Sequence, residues 1–94
     1  MPKFYEYLWV RLGDQDNYEE YGHDLSAVAS LLKEVGIEKI WRSPVGVEAE
    51  GFTDLNRISL YWGDKIGNFY RSITKKELDQ INRWLAHPEK YAFM

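Results

Sequence analysis

Strand-like patterns of apolar and polar positions occur in four segments of the chain. Residues 3–12 carry mostly aliphatic side chains at even positions and mostly aromatic ones at odd positions, which is typical of a strand with two faces to bury. Residues 37–43 predict a second strand, and residues 57–62 alternate strictly between apolar and polar side chains. Residues 68–73 return as the hairpin partner after a short glycine-bounded loop.

Helical spacing marks two further segments. Asp24 is a good N-cap for the first helix, and Gly36 stands where a left-handed residue ends one. The apolar positions between them recur every three or four residues. Thr74 and Glu77 have the spacing of a capping box that begins a second amphipathic helix, and Pro88 lies just beyond its expected end.

The element order is therefore β-α-β-β-β-α, with at most a short edge strand around residues 45–48. Strands joined by tight turns pair antiparallel. We expect an α+β two-layer sandwich, with a largely antiparallel sheet and both amphipathic helices packed on one face. At 94 residues, the chain is long enough for one domain, covering residues 1–94, and too short for two.

Composition excludes several classes of chemistry. The chain has no cysteine, which removes disulfides, thiol catalysis and thiolate metal sites. The sequence starts without the pattern of a signal peptide, and no apolar stretch reaches the roughly 20 residues that cross a bilayer. These features predict a cytoplasmic protein with no membrane partner.

The charge is unevenly distributed along the chain. The formal net charge is −3 overall, and it is −4 over residues 1–24 but +3 over residues 57–94. An acidic domain is a poor general nucleic-acid binder, which disfavours that class of partner. Two copies of such a chain complement each other, acidic part against basic part, across a two-fold interface.

Motifs for catalysis, metals and cofactors are missing. No phosphate-binding loop, dinucleotide fingerprint or nucleophile elbow occurs. The acidic segment from Asp14 resembles a calcium loop, but Tyr18, Glu19 and Leu25 occupy positions that require an oxygen ligand, a glycine and a glutamate. His23 beside this segment is the best general acid–base candidate. We therefore predict no cofactor and no metal, and assign no catalytic residue.

The aromatic residues are the stronger indication, at 16% of the chain. In a two-layer fold the helices leave one sheet face uncovered, and aromatic side chains there mark an interaction surface. The alternative is that the aromatic rings form the core and the aliphatic set packs elsewhere. The candidate ligand or partner surface comprises Tyr5, Tyr7 and Trp9 of one strand face, Trp41, Tyr61 and Tyr70 as extensions, and the arginines Arg42, Arg57 and Arg71.

Three functions stay open. The first is a non-enzymatic interaction protein that binds a protein partner or itself, as a homodimer, through the aromatic sheet face. The second is a small-molecule-binding domain with an aromatic pocket and an arginine that anchors an acidic group. The third, and weakest, is a small enzyme that uses the carboxylates of the acidic segment and His23. No motif is specific enough to indicate a family.

Overall fold

The structure, a computed structural model, describes residues 6–87. Tyr5, the start of the first predicted strand and Pro88 lie outside the described residues. The elements, in chain order, are β1 (Tyr7–Leu12), β2 (Glu19–Glu20), α1 (Leu25–Glu34), β3 (Ile37–Ser43), β4 (Gly46–Gly51), β5 (Arg57–Gly63), β6 (Phe69–Ser72) and α2 (Lys75–Ala86).

The six strands form one sheet in which every neighbouring pair is antiparallel. The strand order is β2-β1-β5-β4-β3, and β6 pairs with the end of β5 that β4 leaves free. The predicted α+β class is confirmed, and the predicted element order is right in outline. The predicted order lacks β2, and it treats β4 as a short edge strand. In the structure β4 lies between β5 and β3, because Val47 and Ala49 bury their side chains towards the helices.

Both helices begin where local side chains predict. Asp24 caps α1 by accepting a hydrogen bond from Ser26 N at 2.9 Å. Gly36 follows α1 with a φ of +94°, and a Cβ there would come within 3.0 Å of Phe52 O, so glycine is required on both counts. At the start of α2 the Thr74 hydroxyl accepts from Glu77 N, while the Glu77 carboxylate accepts from Thr74 N.

The hydrophobic core lies between the helices and one face of the sheet, which we call the covered face. Its side chains are aliphatic with the exception of Trp62. The strands contribute Leu8, Val10, Ile37, Ile40, Val47, Ala49, Ile58, Leu60 and Trp62, and the helices contribute Val28, Ala29, Leu32, Leu78, Ile81 and Leu85. The core is therefore built from the aliphatic set, and the aromatic positions of β1 are left on the other face.

The outer edge of β3 is partly closed by a side chain of α2. The Asn82 side chain accepts a hydrogen bond from Ile40 N at 2.9 Å and donates one to Ile40 O at 2.8 Å. Asn82 thus takes the place of a neighbouring strand at this residue. No helix within residues 6–87 is both long enough and apolar enough to cross a membrane.

Candidate functional site

The sheet face opposite the core, which we call the open face, carries the aromatic side chains of β1 and β5. Trp9 pairs with Tyr61, Tyr7 with Gly63, and Arg11 with Ser59. Leu8 and Val10 between them are buried on the covered face, so alternation sends their neighbours to the opposite side. Within residues 6–87 neither helix packs on the open face, because the buried side chains of both belong to the core on the covered face.

Four rings on the open face contact one another, and we call them the aromatic cluster: Trp9, Tyr18, Tyr61 and Phe69. Tyr61 and Phe69 are stacked, with ring centroids 5.1 Å apart and planes 6° from parallel. Tyr18 meets Phe69 edge-on at 4.8 Å and Tyr61 at 6.1 Å. Trp9 completes the group, 6.3 Å from Phe69. These distances lie in the range of favourable aromatic pairs.

The β5–β6 hairpin holds the cluster in place. The indole Nε1 of Trp9 donates to Asp64 O at 2.9 Å. The Asp64 carboxylate accepts from Asn68 N, Ile66 N and Asn68 Nδ2, and these bonds hold the pKa of that carboxyl below its usual value. Gly63 has no substitute here, because a Cβ would come 2.5 Å from Asn68 O. The cluster therefore rests on a hairpin that its own hydrogen bonds hold together.

Apolar surface is exposed at this hairpin and beside the cluster. Phe69 is 40% exposed, Tyr70 is 53% exposed and Ile66 at the hairpin tip is 82% exposed. Trp9, Tyr18 and Tyr61 are half-buried, since the rings shield one another. Exposed aromatic and aliphatic side chains therefore adjoin the cluster along the β5–β6 hairpin.

Arg11 borders the aromatic cluster. Its guanidinium lies 5.2 Å from the centroid of the Tyr18 ring, a cation–π distance. The side chain is half-buried, and its Nε is shut off from water with no hydrogen-bond acceptor in the described part of the chain. Within residues 6–87 no carboxylate or carbonyl accepts from any guanidinium nitrogen of Arg11.

The three predicted arginines occupy different places. Arg71 pairs with Trp62 on the covered face, where it bridges Glu77 at 3.2 Å and Glu6 at 3.6 Å. Arg42 also lies on the covered side, because it pairs with the buried Val47, and it donates to Ile73 O. Arg71 and Arg42 therefore do not lie on the common surface that the sequence predicted for them. Arg57 is the one that lies on the open face, exposed and opposite Glu48.

The predicted aromatic residues are also divided. Tyr7 lies on the open face, where its ring is 4.9 Å from that of His23. Trp41 pairs with Glu48 on the same face, at the far side of the sheet from the cluster. Tyr70 is exposed at a bulge in β6, and Tyr5 lies outside the described residues. The structure thus brings together Trp9 and Tyr61 from the predicted set and adds Tyr18, Phe69 and Arg11.

Glu77 joins α2, β5 and β6 through its carboxylate. It accepts from Arg71 at 3.2 and 3.3 Å, from Thr74 N at 2.9 Å and from the Trp62 indole at 3.2 Å. Burial acts to raise the pKa of this carboxyl, but the hydrogen bonds outweigh burial and the pKa is lowered. The Glu77 carboxylate therefore secures the fold on the covered side. Its oxygens are engaged in these hydrogen bonds and are not free for other chemistry.

The remaining chemical candidates are dispersed. His23 is exposed and contacts the Tyr7 ring. In the described part of the chain no three His, Asp or Glu side chains are placed to hold one metal ion. An open groove of about 340 Å³ lies where β1 ends and β5 begins, lined by Gly13, Asp14, Asp54, Leu55, Asn56 and Arg57. Its lining is polar, with two carboxylates and one guanidinium, and the rings of the cluster are not part of it.

Comparison of the chain with protein-family models, with curated proteins and with solved structures finds no match. The function is therefore argued from the geometry of the open face alone.

Proposed function

We propose that this chain is a non-enzymatic interaction protein whose open face binds a second copy of itself. The observation that carries the proposal is the aromatic cluster, which lies on the sheet face that the helices leave uncovered and ends in the exposed Phe69. Exposed apolar patches of this kind mark interaction surfaces more often than they mark catalytic sites.

The composition of the patch supports binding to protein. Tyr, Trp and Arg are the residues that dominate binding energy at protein interfaces, and all three occur in or beside the cluster. The Asp64 hydrogen bonds fix the hairpin that presents Ile66 and Phe69. A surface that is already ordered loses little conformational entropy on binding, so more of the contact energy appears as affinity.

The charge distribution favours a second copy over an unrelated partner. The exposed acidic side chains of the β1–β2 connection lie at the β2 edge of the sheet. The exposed cation Lys39 lies on β3 at the opposite edge, on the open face. A two-fold axis that runs along the strands and through the open face places each acidic edge over the partner's β3 edge.

A contact of standard size would cover a small share of the surface of the chain. A standard interface covers about 800 Å² on each partner. The accessible surface of the chain is 6249 Å², so the contact would cover roughly an eighth of it.

Sedimentation equilibrium over a wide range of protein concentration tests the proposal. We expect a reversible dimer for the wild-type chain, and a monomer for Phe69→Asp, which would bury an unpaired charge in the contact. Phe52→Asp is the matched control, because Phe52 is 87% exposed in the β4–β5 connection, away from the cluster. A wild-type chain that stays monomeric at all concentrations overturns the proposal, as does equal weakening by the two variants.

A further inference from the structure

Tyr7 and Phe69 occupy equivalent positions on the two sides of β5. Tyr7 on β1 pairs with Gly63, and Phe69 on β6 pairs with the same glycine from the opposite side. Both side chains lie on the open face, each one strand spacing of about 4.8 Å from β5. Since Gly63 has no side chain, this row carries an aromatic ring at each end and a gap between them. Within residues 6–87 the rings of Tyr7 and Phe69 do not contact each other.

The two-fold axis of the proposed dimer relates these two positions. The strand order β2-β1-β5-β4-β3 has β5 at its centre, and β6 lies beside β5 in line with β4. An axis that lays the β2 edge over the partner's β3 edge therefore runs along β5. Such an axis keeps each residue at its level along the strands and exchanges the two sides of β5. Phe69 of one copy then lies over Tyr7 of the other, and symmetry repeats the contact.

The two side chains are suited to contact each other. Phe69 stacks on Tyr61 and still keeps 40% of its surface exposed. Tyr7 is half-buried, and its ring is tilted by 33° against the exposed His23 at 4.9 Å. The two rings of this pair together give an aromatic surface on which a phenyl ring packs offset or edge-on. Tyr7, Gly63 and Phe69 carry no charge, and charged residues are depleted at the centre of protein interfaces.

We propose, resting on the proposed self-association, that Phe69 of each copy packs against the Tyr7–His23 pair of the second copy. The aromatic cluster supplies one side of this contact, because Phe69 is its exposed member. Tyr7 and His23 supply the other side and lie beside the cluster on β1 and at the end of the β2–α1 connection. The open face therefore carries both halves of the contact, as an interface between two identical chains requires.

A double-mutant cycle on the dissociation constant of the dimer tests this contact. Tyr7→Ala and Phe69→Ala should each weaken dimerisation about tenfold or more, because each removes a ring from both symmetric contacts. The double variant should dimerise little more weakly than the weaker of the two single variants, since one substitution already abolishes the contact that the other removes. Tyr7→Phe keeps the ring and should associate like the wild type. Trp41→Ala, on the open face at the far side of the sheet, is the control, and its effect should multiply with that of Phe69→Ala.

Isotope-filtered NMR of a mixture of labelled and unlabelled wild-type chains adds a measurement that needs no variant. Nuclear Overhauser effects should connect the Phe69 ring of one chain to the Tyr7 ring of the other. Sedimentation equilibrium gives the dissociation constants, and circular dichroism establishes that each variant is folded. A monomeric wild type overturns the proposed function itself. A dimeric wild type in which the effects of Tyr7→Ala and Phe69→Ala multiply, or in which the two rings show no such Overhauser effect, overturns only this contact.

Discussion

The two faces of the sheet are built from different side chains. On the covered face, aliphatic residues such as Leu8, Ile40 and Ile81 are fully buried. On the open face, the aromatic cluster is half-buried and Phe69 keeps 40% of its surface exposed. Leu8 and Trp9 are adjacent in β1, so one strand serves both faces. The covered face therefore holds the hydrophobic core, whereas the open face keeps part of its aromatic surface accessible.

The polar groups follow the same division. On the covered side, Glu77 and Arg71 satisfy each other and the indole of Trp62. On the open side, Arg11 has no acceptor of its own among residues 6–87. A group that is satisfied within the chain stabilises the fold, whereas a buried donor without an acceptor costs folding free energy.

The largest effect is expected from truncation on the covered face. Leu8 is completely buried in the core, so Leu8→Ala should lower the free energy of unfolding by about 3 kcal/mol, through lost burial and the cavity left behind. Urea denaturation followed by circular dichroism measures it. Ser59→Ala, on the open face of β5, is the control and should change stability by less than about 0.5 kcal/mol. If Leu8→Ala and Ser59→Ala lowered the free energy of unfolding by similar amounts, the two faces would not differ in their contribution to stability.

The next effect concerns the edge of the sheet. Asn82→Ala removes both hydrogen bonds to Ile40, so a backbone donor and a backbone acceptor lose their partners. We expect a loss of about 2 kcal/mol in the free energy of unfolding. Exposure of the β3 edge should also increase aggregation on heating, measured by light scattering. Arg83 is an exposed neighbour of Asn82 on α2. Arg83→Ala should therefore neither lower the free energy of unfolding by this amount nor increase aggregation.

Elements governed by short-range chemistry could be predicted from the sequence. The capping box at Thr74 and the helix end at Gly36 involve residues within one or two turns of each other, and the structure has both. The strand β2 could not be predicted in this way. Its two glutamates have a low strand propensity, and they form a strand because β1 lies beside them as a template.

The candidate site was predictable only in part, because the sheet face on which a side chain lies depends on strand register. Alternation in β1 and β5 is regular, so Trp9 and Tyr61 share a face as expected. In β6 a bulge at Tyr70 changes the parity and sends Phe69 to the open face and Arg71 to the covered one. Contact between Tyr18 and Phe69 depends on strand order across β1 and β5, which no local pattern encodes.

A smaller effect is expected from the acidic titration of Glu77. The pKa of this carboxyl is lowered in the folded chain, so its stabilisation is present above the unfolded pKa and is lost as pH falls through the folded pKa. Glu77→Gln should lower the free energy of unfolding by about 1.5 kcal/mol at neutral pH, since hydrogen bonds to a charged group are weakened. The deficit relative to the wild type should shrink and vanish on acidification, as both side chains are then neutral.

Denaturation midpoints from neutral pH down to about pH 3 measure this prediction. Asp79→Asn is the matched control, because Asp79 is exposed and pairs with Lys75 at 3.1 Å on the surface of α2. Surface pairs of this kind contribute little, so its effect should be small at every pH. A deficit for Glu77→Gln that stays constant with pH would show that the carboxylate charge has no part in joining α2 to the sheet.

The smallest effect on the isolated chain, and the sharpest comparison of the two faces, is expected from Phe69→Ala. In dilute solution it should cost about 1 kcal/mol, because the ring is partly exposed and packs against its cluster neighbours. Binding to a second copy stabilises the folded state further as concentration rises. The deficit of Phe69→Ala should therefore grow with protein concentration, whereas Leu8→Ala, which leaves the open face unchanged, should show a constant deficit. Unfolding measured at several protein concentrations distinguishes the two variants. A deficit for Phe69→Ala that does not change with concentration would mean that the open face contributes to stability alone and not to association.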